Sequence, residues 1–179
     1  LSPSSSISPS SSVSPSPSAV NTDDFNNQST ETFWTWTPGT DGTHTENASG
    51  EHQILLGTGG MYGALYDPTW LNQSISGDFD VWTKVTISPV TNYQHAGLLF
   101  SLDSNNYVKL ADYWWGGHVV VCTHHFSGAD YTDQIVTTAS SIYFRLVRIG
   151  TAITGYYSET LPDHNADWTT FTQANKLSS

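Results

Sequence analysis

Between residues 79 and 87 apolar and polar side chains alternate. Phe79, Val81, Val85 and Ile87 share one parity, and Asp80, Trp82, Lys84 and Thr86 share the other. Successive side chains of an extended strand point to opposite faces, so this run predicts a half-buried β-strand. Comparable runs cover residues 93–101, 107–114, 118–126, 142–149 and 152–158, with shorter ones at 33–37, 53–57 and 168–173. Turn formers separate them. Gly116-Gly117 marks a hairpin, Gly150-Thr151 a tight turn, and Asp103-Ser104-Asn105-Asn106 a polar reversal. No segment sustains an apolar repeat at helical spacing. Strands recurring roughly every 8–12 residues predict an all-β fold, an antiparallel two-sheet β-sandwich of jelly-roll type.

Residues 1–20 read differently. LSPSSS, ISPSSS and VSPSPS follow one another, with no apolar face and with prolines that forbid a regular ladder. We expect a Ser/Pro-rich linker, about 60 Å long at roughly 3 Å per residue, tethering a domain at 21–175 to an upstream module of the same chain. Five Lys and Arg stand against sixteen Asp and Glu, a formal net charge of −11. Phosphate backbones and anionic lipid surfaces are repelled by such a chain, so neither nucleic acid nor membrane is an expected partner. Charged residues make up only 12% of the sequence, while Ser, Thr, Asn, Gly and aromatics abound, the balance of a secreted, extracellular β protein. The single cysteine, Cys122, excludes an internal disulfide.

Alternation also sorts the aromatics. Trp82 falls on the polar parity of its strand, where a large apolar ring needs a reason. One reason is that a pyranose presents C–H groups that stack on an aromatic face. In the run 107–115, Val108 and Leu110 look inward, leaving Tyr107, Lys109, Tyr113 and Trp115 opposite them; Tyr93 and His95 stand opposite Leu98 and Phe100. Adjacent strands are thus expected to assemble a platform of Trp82, Tyr93, His95, Tyr113 and Trp115, with Lys109 or Asp112 at its edge. His118 ends the densest aromatic tract, and the glycine turn places Trp115 at a tip. Trp114 points the other way, into the fold. Trp34, Trp36 and Trp168 are expected to close the core.

In order along the chain stand Asp23-Asp24-Phe25, Gly77-Asp78-Phe79-Asp80-Val81, Lys84-Val85, Ala96-Gly97-Leu98-Leu99-Phe100, Asn106-Tyr107-Val108-Lys109-Leu110, Arg145-Leu146-Val147-Arg148, Tyr156-Tyr157-Ser158 and Trp168. Together they resemble the concanavalin A-like sandwich found at the C-terminus of many bacterial β-xylosidases and as an accessory module of secreted glycoside hydrolases. The resemblance runs from about Asp23 to Gln173. It implies a sandwich with a concave face, polysaccharide as ligand, and a catalytic domain upstream in the same chain. With the platform above, the expected function is a non-catalytic carbohydrate-binding module for β-glucan or xylan. The alternatives are a structural module packed on its catalytic domain and an independent hydrolase.

Glycoside hydrolysis ordinarily needs two carboxylates across a cleft. Glu31, Glu46, Glu51 and Glu159 all lie in or beside predicted turns, and the Glu-x-Asp-x-x-Glu string of glucanases sharing this sandwich is absent. His124 and His125 are strand neighbours and point to opposite faces, so they cannot share one ion. Sandwiches of this type commonly hold a structural Ca²⁺ near the domain ends, which here implicates Asp24 and Asp167 as ligands.

Overall fold

The computed structural model describes residues 31–47, 51–55, 61–62 and 65–171; the linker and Asp24 lie outside them. Six short strands come first: β1 (Thr35–Thr37), β2 (Thr43–Asn47), β3 (Glu51–Leu55), β4 (Met61–Tyr62), β5 (Leu65–Tyr66) and β6 (Trp70–Asn72). They pair antiparallel as β1–β6, β2–β3 and β4–β5. The longer strands follow: β7 (Phe79–Thr86), β8 (His95–Asp103), β9 (Asn106–Trp114), β10 (His118–Phe126), β11 (Ala129–Thr137), β12 (Ser141–Ile149) and β13 (Ala152–Ser158). One 3₁₀ turn (Asn165–Asp167) and the short β14 (Thr169–Thr170) complete the described chain.

Two four-stranded sheets carry the fold. Sheet I is the meander β11-β10-β9-β8, and sheet II has the order β14-β13-β12-β7. Their inner faces supply one continuous core. Phe100, Val108, Leu110, Val120 and Cys122 come from sheet I, and Phe79, Ile142, Phe144, Leu146 and Ile153 from sheet II, closed by Phe171. Phe79 meets Phe100 across the layers with ring centroids 5.2 Å apart. The sheets approach so closely at Gly155 that a Cβ there would lie 2.7 Å from Leu110 Cδ2. A larger residue would push the layers apart.

The predicted strands 79–87, 107–114, 118–126, 142–149 and 152–158 match observed elements to within a residue or so, and Gly116 takes the left-handed backbone (φ 71°) of the expected hairpin. Strand β11 had no counterpart in the sequence reading. Its polar residues occupy both parities (Asp130, Thr132 and Gln134 against Asp133), which blurs the alternation. The core-closing assignment fails for Trp168, and Trp34 and Trp36 are half-buried outside the main core. The Trp168 ring is half-buried near the Arg145 guanidinium, and Phe171 fills the core position instead.

Candidate functional site

Sheet I pairs residue to residue, so its outward face can be read in rows. His95, Tyr113, Val119 and Val136 form the first, and Gly97, Ala111, Val121 and Gln134 the second. Leu99, Lys109, Thr123 and Thr132 form the third, and Ser101, Tyr107, His125 and Asp130 the fourth. The aromatic rings gather at the end of the first row. His95 stacks on Tyr113 (5.2 Å between centroids, 19° between planes), Tyr113 meets Tyr93 edge-on at 6.3 Å, and Tyr93 lies 5.9 Å from Trp115. Tyr93 and Trp115 are each 61% exposed, leaving two large rings facing water.

The backbone around them explains how the rings are held. The β8–β9 ladder continues past the strand ends: Tyr93 N–H donates to the Trp114 carbonyl and Trp114 N–H to the Gln94 carbonyl, both at 2.9 Å. The Gln94 side-chain oxygen accepts from the N–H groups of Val90 and Thr91, and Asn92 accepts from Gly116 N–H. Tyr93 itself has φ 74°, a left-handed conformation that costs a non-glycine residue on the order of 1–2 kcal/mol. Strained residues of this kind persist where surrounding structure over-determines them, and they cluster at functional sites.

His95 Nδ1 donates to the Tyr93 carbonyl at 3.0 Å. Burial first, and then the positive charge of Lys109, hold the His95 pKa below its ordinary 6.5 against that hydrogen bond. The ring is therefore neutral at neutral pH, with Nε2 as an acceptor. Lys109, two rows further along, is itself pushed down by burial and partly restored by Asp130. The middle of the face is closed on both sides of Lys109: Ala111 and Val121 are buried before it, and beyond it Tyr107 is 1% exposed, its ring stacked 4.7 Å from His125, which donates to Asp130.

Tyr93, His95, Tyr113 and Trp115 thus come together as the sequence led us to expect, with Lys109 on the same face. Trp82 does not join them. Strand β7 pairs with β12 and not with β8, so Trp82 projects from the outward face of sheet II, 6.3 Å from Tyr143. Asp112 and His118 also fall elsewhere, because alternation turns both toward the inner side of sheet I. Asp112 is fully buried and accepts from His118 Nδ1 at 2.9 Å, and burial raises its pKa against that bond. Trp114 shares their parity and packs edge-on against His118, 5.0 Å away. His124 and His125 take opposite faces as expected, but both are buried.

The two sheets, the cross-layer core and the motif residues at their places in the strands agree with a match along the sequence. The family model described as "Beta xylosidase C-terminal Concanavalin A-like domain" fits residues 22–179. The chain belongs to that family. The fold is accordingly the concanavalin A-like sandwich. Among solved structures, the GH43 protein BlXynB from Bacillus licheniformis superposes with a TM-score of 0.68 at 19% identity, over 86% of this chain and 30% of that one. A point mutant of the same protein gives 0.62 at 16% identity, over 83% and 29%. This concanavalin A-like domain therefore spans under a third of the solved chains it matches. A search of curated proteins finds no match.

For the implied Ca²⁺, Asp167 is the residue of the pair that the structure describes. Its Oδ2 accepts the backbone N–H groups of Asp163 and His164, each at 2.8 Å, which is a turn-forming role. No cluster of three or more His, Cys, Asp or Glu fit to hold a metal gathers among the described residues.

Proposed function

We propose that this domain is a non-catalytic carbohydrate-binding module of a secreted, modular glycoside hydrolase, and that it holds β-glucan or xylan on the run Trp115–Tyr93–Tyr113–His95. The supporting observation is the pair of exposed rings at Tyr93 and Trp115, fixed by a continued ladder and a left-handed backbone. Sugar C–H faces stack on such rings, and a hydroxyl donates to the free acceptor of neutral His95. Rings fixed before the ligand arrives lose little freedom on binding. A Ser/Pro-rich linker to an upstream catalytic domain would then keep that domain at high local concentration on the polymer.

Six of the described carboxylates are already engaged inside the domain, which favours a non-catalytic role for them. Asp112 is taken by His118, Asp130 by His125, Asp80 by Arg145, Glu159 by Thr137, and Asp103 and Asp167 by their own turns. A hydrolase needs one carboxyl free to donate and another free to attack or activate water. The test incubates the 179-residue chain with insoluble xylan and insoluble β-glucan, measuring depletion from solution and reducing ends. Retention without sugar release is expected, and release of reducing ends overturns the reading. A second reading, packing against a catalytic domain, is favoured by the greater length of the BlXynB chain, of which the sandwich matches 30%. That role predicts no retention on either polymer.

A further inference from the structure

The outward face of sheet II carries an arrangement that the platform does not use. Trp82 is 58% exposed and stands beside half-buried Tyr143. Directly across from Trp82 in the β7–β12 register is Arg145. Its guanidinium is fixed on several sides. Nε and Nη2 grip both Asp80 oxygens at 2.7 and 2.6 Å, and Nη1 donates to Asn165 at 2.9 Å. The rings of Tyr156 and Trp168 lie 5.5 and 5.7 Å from its central carbon. The Asp80 side chain remains 50% exposed, so its carboxylate keeps acceptor capacity toward solvent.

From this geometry we propose a second saccharide-binding site on sheet II, taking one neutral pyranose unit between the Trp82 ring and the Asp80 carboxylate. Asp80 and Trp82 are two residues apart on one strand, about 6.6 Å at 3.3 Å per residue, which matches the span of one sugar ring. The Trp82 ring supplies the stacking face, and Asp80, held in place by Arg145, accepts hydroxyl hydrogens. Because the ion pair is already formed, little side-chain freedom is lost on binding. The surroundings select a sugar over a protein partner. Protein interfaces have an apolar centre with a polar rim, whereas the exposed Trp82 ring is flanked by the charged side chains of Asp80, Lys84 and Arg145 and by half-buried Tyr143. The net charge of −11 favours a neutral sugar over an acidic one.

The site stands independently of the sheet I platform, and its test separates the two. Xylohexaose and cellohexaose are titrated calorimetrically into the 179-residue chain, the Trp82→Ala variant, the Trp115→Ala variant and the double variant. Two sites per chain are expected in the parent, one in each single variant and none in the double. Trp82→Tyr, which keeps a stacking ring, is expected to restore the second site with affinity within about tenfold of the parent. Thermal melting of Trp82→Ala is expected to match the parent, which rules out unfolding as the cause. Stoichiometry and affinity unchanged in Trp82→Ala overturn the site, as does a parent chain that binds neither sugar. If Trp115→Ala changes nothing while Trp82→Ala abolishes binding, the second site stands and the platform falls.

Discussion

On β7 the outward residues Asp80, Trp82, Lys84 and Thr86 are all exposed, whereas on β9 and β10 outward Tyr107, Ala111, Val121 and His125 are buried. Both sheets obey the same alternation. What differs is the surroundings of each outward row, which parity along a strand does not encode. Sheet II keeps an open face on which the exposed Trp82 ring stands beside a fixed ion pair. In sheet I the outward faces of the two middle strands are mostly enclosed, and the exposed rings of Tyr93 and Trp115 lie at one end, beyond the buried Tyr107–His125 stack. A ring of outward parity is therefore a packing residue in one place and an exposed surface in another.

The largest effect that tests this contrast is on stability. Tyr107→Ala is expected to lower the unfolding free energy by about 3–5 kcal/mol, as for a large buried ring, while Trp82→Ala changes it by less than about 0.5 kcal/mol. Urea denaturation of both variants measures the difference, and equal losses would erase the distinction between the two faces. Next is the pair at the hairpin. Trp114→Ala is expected to cost about 2 kcal/mol of stability through lost packing on His118, with polysaccharide binding retained. Trp115→Ala is expected to melt normally and bind about tenfold or more weakly, near the range of a typical aromatic anchor. Reversed outcomes would place the working ring on the inner side of the hairpin.

The smallest effect is a pH dependence. The folded-state pKa of His95 lies below the ordinary 6.5, chiefly because of burial. Between these two values the unfolded chain binds more protons, so this group's contribution is present above pH 6.5 and is lost as pH falls through the folded pKa. His95→Phe keeps a ring against Tyr113 and removes the titration. Melting midpoints of the variant are expected to fall less steeply than those of the parent on the acid side of pH 6.5. Parallel curves would mean that His95 is as solvated as a free histidine.

Much of the platform was legible because it depends on short-range rules. Parity along β8 and β9 put His95 and Tyr113 on one face, and the glycine pair placed Trp115 beyond the strand end. Trp82 was misplaced because its neighbour was unknown: β7 and β8 follow one another in sequence, but β7 pairs with β12 in the other sheet. Asp112 and His118 were drawn to the site by proximity in sequence, although a strand turns adjacent side chains to opposite faces. The left-handed backbone at Tyr93 left no mark, since nothing in a tyrosine announces it. Arg145 was visible as part of a family motif, but its grip on Asp80 spans sixty-five residues.

By itself the sequence determined the all-β class, most of the long strands, their inner and outer parity, and the hairpin that exposes Trp115. Each follows from forces acting within a few residues: pleat, turn chemistry and the burial of apolar side chains. The tertiary structure alone decided which strands became neighbours, that Gly155 would be pressed against Leu110, that Tyr107 and His125 would be enclosed, and that Trp82 and Arg145 would share a second face. Those outcomes depend on contacts between residues distant in the chain, whose loop-closure cost is offset only when the whole sandwich forms.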